Sequence, residues 1–127
     1  MLSFVACAQE VITIVAADAP QLALSRNALR TMFSMRLNKW PDGSNMTVYV
    51  LPDNDPTHVM FCKEVLDVFP HQLRQVWDRL VFSGTGQAPR EVASEEEMLA
   101  RMATTPGAIG YIRRKKLDER VRGLELR

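Results

Sequence analysis

The sequence predicts an α/β fold, a mostly parallel sheet of about four or five strands with helices on both faces. Three observations carry that expectation. Val11–Ala16 is rich in β-branched residues and apolar on both faces, segments with helical periodicity separate the strand-like runs, and Pro, Gly or Asp marks the breaks between them.

The elements follow in order. Val11–Ala16 reads as a central strand buried between helix layers, ended by Asp18-Ala19-Pro20. Ser25 caps a helix in which Leu29, Met32 and Phe33 recur along one face. Trp40-Pro41-Asp42-Gly43 is a turn, and Met46–Leu51 a second strand. Past the loop Pro52–Pro56, Thr57 opens a helix with Val59, Met60, Val65 and Leu66 on its core face, ended by Phe69-Pro70. A further helix from Pro70 carries Leu73, Trp77 and Leu80, and Gly84 and Gly86 end it through backbone conformations other residues reach only at a cost. Ser94 and Glu97 form a capping box for a helix running to about Thr104. Pro106-Gly107 turns into the strand Ala108–Ile112, and Val121–Leu126 is a last strand near an edge.

Composition narrows the function classes. With 46% hydrophobic and 24% charged residues, the 127-residue chain is one globular domain rather than a disordered or fibrous polymer. No apolar run approaches the roughly 18 residues of a membrane span, so no insertion of the mature chain is expected. A net charge of +1 supplies no field for nucleic acid or an anionic membrane. Seven basic and three acidic residues fall between Arg113 and Arg127, a run that reads as a solvated face. Two cysteines are too few for a disulfide scaffold. Residues 1–8 form an apolar stub ending in Ala6-Cys7-Ala8, a small-x-small pattern like that at which secretory signals are cut. They read as the remnant of a secretion signal, with residues 9–127 as the domain. A lipid-modified Cys7, or an extension of the first strand, are the other readings.

Four stretches then carry a resemblance. They are Leu24-Ser25 with Met32-Phe33 and Trp40-Pro41-Asp42-Gly43; Phe61 with Leu66; Trp77 through Phe82-Ser83-Gly84 with Pro89; and Pro106-Gly107-Ala108-Ile109-Gly110-Tyr111. In this order they resemble the short, single-domain PstS-like phosphate-binding proteins of the type II periplasmic binding protein fold, over about residues 11–126. The resemblance implies a bacterial, exported, non-enzymatic protein, periplasmic and related to the solute receptor of a phosphate uptake transporter. It also implies an anion site in the loop after the second strand, where full-length members carry Arg and then Ser-Gly-Thr. Here Leu51 replaces the Arg, and Asp55-Pro56-Thr57 replaces Ser-Gly-Thr, so only Thr57 survives. Asp55 repels a phosphate, Pro56 has no amide to donate, and Leu51 has no charge. Full-length members close two lobes over the ligand. A single lobe cannot bury a small anion from both sides without a second copy or a partner's surface.

The loop Asp53–His58 is the best site candidate, because ligands of open α/β sheets gather at the carboxyl ends of strands. Asn54, Asp55, Thr57 and His58 are its candidate ligand-binding residues, against a competing reading in which Asp53 and Asp55 only cap the following helix. Arg113 and Arg114, with Lys115 and Lys116, form a candidate basic rim if their strand runs parallel to the second. His58 and Cys62, four apart, face the same way, but no metal site, cofactor or nucleophile–base pair is expected from them. Ser83-Gly84-Thr85-Gly86 ends a helix rather than opening one and reads as a terminator. Phe33, Trp40, Trp77, Phe82 and Tyr111 are expected in the core. The chain is thus expected to be an exported solute-binding protein with a degraded site for a phosphate-like anion, or an interaction module that keeps the fold and binds a membrane transporter, sensor or envelope protein.

Overall fold

A computed structural model describes residues 10–19, 23–124 and 126. The signal-like stub and Cys7 lie outside these residues. In chain order the elements are β1 (Val11–Ala16), α1 (Arg26–Phe33), β2 (Thr47–Val50), α2 (Pro56–Met60), a π-helical segment (Phe61–Leu66), α3 (Pro70–Ser83), β3 (Arg90–Glu91), α4 (Glu95–Met102), β4 (Ala108–Arg113), a 3₁₀ turn (Arg114–Lys116) and β5 (Val121–Leu124). Among the described residues no helix is long and apolar enough to cross a membrane.

The sheet has five strands in the order β3-β2-β4-β1-β5. β2 runs parallel to both β3 and β4, whereas β1 is antiparallel to β4 and β5. Four strands therefore point one way, and β1 is the exception to the expectation of parallel neighbours. Its position explains its composition: paired on both sides and covered on both faces, all six residues are buried. β5 takes the predicted place at an edge. β3 has only two residues and leaves almost no sequence pattern to read.

The expected caps form. Ser25 accepts the Ala28 N–H at 3.1 Å, and Leu29, Met32 and Phe33 are buried on the inner face of α1. Ser94 accepts the Glu97 N–H, but the Glu97 carboxylate reaches back to the Ala93 N–H rather than to that of Ser94. At Gly84 the chain turns left-handed (φ +70°) and ends α3, while Gly86 makes no such turn and packs beside Leu80 instead.

Two expectations need correction. The helix after Asp55 is not one α-helix: after Met60 it widens into the π segment, so the buried face passes to Phe61, Cys62, Val65 and Leu66, while Val59 and Met60 are half-buried. Phe82 is not in the core but 91% exposed, because the inner stripe of α3 runs through Leu73 and Trp77 and turns Phe82 outward. The remaining large aromatics behave as expected, with Trp77 donating from its indole to the Phe33 carbonyl at 2.8 Å and Trp40 to that of Gly107 at 2.9 Å.

Candidate functional site

β2 and β4 are parallel neighbours, so the loop leaving β2 at Val50 and the segment leaving β4 at Arg113 emerge at the same end of the sheet. α4 starts near this end too, because Glu95 reaches Arg113 across it. This carboxyl edge is where open α/β sheets hold ligands.

Beneath it lies a buried polar chain. The Tyr111 hydroxyl, on β4, accepts the Leu51 N–H at 2.9 Å and is hydrogen-bonded to Nδ1 of His58 on α2. His58 Nε2 in turn lies 3.5 Å from the Cys62 sulfur. The donor inventory favours one tautomer. Since the hydroxyl accepts from Leu51, its own proton is best used toward Nδ1, which leaves the proton of neutral His58 on Nε2, directed at Cys62. Burial lowers the His58 pKa from its ordinary value of 6.5 despite the opposing pull of Asp53 and Asp55. Burial also pushes the Tyr111 phenol well up and the Cys62 thiol up to about 12. Cys62 is thus a protonated, inert thiol rather than a nucleophile. The Phe61 ring stacks on Tyr111 with centroids 4.0 Å apart and packs edge-on against Phe33 at 4.9 Å. No buried side-chain nitrogen or oxygen among the described residues lacks a partner.

Above this chain the edge is laced with internal ion pairs. Arg74, on α3, grips Asp53 with two hydrogen bonds of 2.9 Å, lies 3.5 Å from Glu91 and covers the Trp77 ring at 5.1 Å. The hydrogen bond from Arg74 holds the Asp53 carboxyl below its ordinary pKa, against a smaller penalty from burial. Arg113 directs its guanidinium at Glu95 (2.8 and 2.9 Å) and gives the same carboxylate its backbone N–H at 2.7 Å. Burial works against the Glu95 charge, but the bonds from Arg113 outweigh it and the carboxyl stays below its usual range.

The structure separates the residues singled out in the sequence. Asn54 is exposed at the tip of the loop. Asp55 is the N-cap of α2 and accepts the Thr57 N–H at 2.8 Å, which is the capping geometry. Thr57 and His58 are 3% and 1% exposed, so their side chains face the interior and not the outer surface of the loop. Arg113 and Arg114 do leave a strand parallel to β2, as the basic-rim reading required, but the Arg113 guanidinium is bound to Glu95. Three residues that organise this edge were missed by the sequence reading: Tyr111, Arg74 and Glu95. Only Tyr111 left a signal, a phenol within an otherwise aliphatic buried strand, which implies a buried hydrogen-bond partner.

No family model matches the sequence, and no curated protein resembles it closely enough to count as a relative. Solved structures do resemble its fold. An ABC-type phosphate transport receptor from Vibrio cholerae superposes with a TM-score of 0.72 at 14% identity, over 92% of this chain and 46% of the receptor. A putative phosphate ABC transporter substrate-binding protein with bound phosphate, from Clostridium perfringens, gives 0.72 and 14% over 92% and 44%. PstS from Borrelia burgdorferi gives 0.70 and 17% over 92% and 47%. The chain spans less than half the length of each of these proteins. The likeness is one of fold: the described residues form an α/β domain with a PstS-like, periplasmic-binding-protein-like fold.

Proposed function

We propose that this chain is an exported solute-binding protein, related to the phosphate-binding component of a phosphate ABC transporter, with a weak anion site at the carboxyl edge of β2 and β4. It is not an enzyme. One observation carries the weakness: two of the donors best placed at this edge, Arg113 and the Thr57 N–H, are already taken by the chain's own carboxylates. Glu95 holds the guanidinium and backbone N–H of Arg113, and Asp55 holds the N–H of Thr57. A phosphate that enters displaces a carboxylate or settles for the exposed Asn54 and the basic run after Arg113. Either course costs affinity, because the displaced charge stays nearby.

Melting curves of the full chain with millimolar phosphate, sulfate and arsenate at low salt test this reading. A ligand of the native state raises the melting temperature by linkage, and roughly a hundredfold excess over its dissociation constant adds about 2.7 kcal/mol. The unaltered chain should shift only slightly with phosphate. Glu95→Gln, which removes the negative charge that holds Arg113, should enlarge the shift at constant ionic strength, and Asp55→Asn should act in the same direction. No shift in the parent or in either variant would remove the anion site. A second reading, an interaction module that docks on a membrane sensor or envelope protein, would then stand alone. It draws its own support from Val81 and Phe82, 56% and 91% exposed side by side at the end of α3.

A further inference from the structure

Away from the carboxyl edge, α1 and the start of α3 flank an open channel. Two hollows of about 390 and 360 Å³ share Val68 and Gln72 and so adjoin. The first is floored by Val68, Leu73 and Val76 and bordered by Arg30 and Arg36, while the second runs past Lys63 to Phe69, which is 54% exposed. Three cations and one carboxylate, Asp67, line the pair. Arg36 and Lys63 make no ion pair among the described residues.

The walls are set in place at a cost. Met35 (φ +66°) and Asp67 (φ +58°) are the non-glycine residues with left-handed backbone among those described, and both sit beside this channel. Such a conformation costs a residue like Met roughly 1–2 kcal/mol. The π segment ends here as well, and its last carbonyls, of Val65 and Leu66, accept from Arg26 and Arg30 of α1 at 3.0 and 2.6 Å. Arg30 thereby braces the channel, and its Nη2 lies 3.6 Å from the Asp67 carboxylate, which leaves Arg36 and Lys63 as the unpaired cations of the channel among the described residues.

We propose that this channel is a docking groove for a short acidic peptide segment of a partner protein, apolar residues on the Val68–Val76 floor and carboxylates against Arg36 and Lys63. A small anion matches the cations but leaves the apolar floor and the second hollow unused. An extended segment, with alternate side chains facing opposite ways, matches both. The proposal is independent of the anion site, which lies at the carboxyl edge of the sheet.

The test is a titration of the ¹⁵N-labelled full chain with a short peptide of alternating Glu and Leu, followed by amide shifts, with a Lys and Leu peptide as control. Saturable shifts at Val68, Gln72 and Val76 are expected from the acidic peptide only. Arg36→Glu, at an exposed site where the melting temperature should stay unaltered, should weaken binding about tenfold or more. Val76→Lys should weaken it as well. No saturable shift up to millimolar peptide, an equal response to the basic peptide, or unchanged affinity in Arg36→Glu each overturns the proposal. So does full competition by inorganic phosphate at these same amides, whereas shifts with phosphate confined to Asn54 and Arg113 concern only the anion site.

Discussion

Tyr111→Phe isolates the hydroxyl on which the buried chain depends. The ring keeps its place against Phe61, so the substitution removes one oxygen and little packing. That oxygen accepts the Leu51 N–H at 2.9 Å and bonds to His58 Nδ1, and all three residues are at most 1% exposed. Each orphaned buried group costs about 1–3 kcal/mol, so two of them cost about 2–4 kcal/mol once local adjustment is allowed. For a domain between the small and large classes, at roughly 3–5 °C per kcal/mol, the melting temperature falls by roughly 6–20 °C. Urea unfolding is the assay, read as a lower midpoint at unchanged slope. Adding His58→Leu to Tyr111→Phe should cost less than the sum of the two single changes, because both remove one shared bond. A Tyr111→Phe loss below about 0.5 kcal/mol would refute the argument, since the hydroxyl would then be replaceable by water.

Other outcomes follow from the same geometry. Because burial lowers the His58 pKa, the unfolded chain takes up its proton first as pH falls below about 6.5, so stability should drop between pH 7 and 5. His58→Gln should flatten that part of the urea-midpoint profile, while the depressed carboxyls of Asp53 and Glu95 keep their contributions until more acidic pH. In a Cys7→Ser background Cys62 should resist a thiol reagent at pH 8 and react once urea unfolds the chain, and full labelling within minutes in native buffer would contradict its burial. Gly107→Ala places a Cβ at 2.3 Å from the Asn45 carbonyl oxygen on a backbone at φ +73°, and should cost at least about 2 kcal/mol in the same assay.

Much of this architecture was legible in the chain. Ser25 and Ser94 marked helix starts because a short side-chain oxygen beside a periodic apolar run answers an orphan amide, a local matter that sequence encodes directly. Val11–Ala16 announced a strand buried on both faces, and Pro106-Gly107 announced the turn into β4. The motif order also pointed to the PstS-like fold that the solved structures share. Long-range geometry was not legible. The reversed direction of β1 depends on which strands pair, and local pattern cannot state that. The π segment depends on packing Phe61 against Phe33 and Tyr111, residues some 28 and 50 positions away. At the candidate site the sequence named the loop and anticipated the Asp55 cap, yet placed Thr57 and His58 among ligand-binding residues. Only the tertiary structure turned both inward and joined His58 to Tyr111, a partner 53 residues away, because a buried imidazole must be satisfied wherever the fold supplies an oxygen. It likewise gave Arg113 to Glu95 and Arg74 to Asp53, pairings decided when separate helices converge on one sheet edge. Sequence by itself set the elements and their apolar faces; which charges remain available to a ligand was settled by the packing that brings distant carboxylates and guanidinium groups within reach.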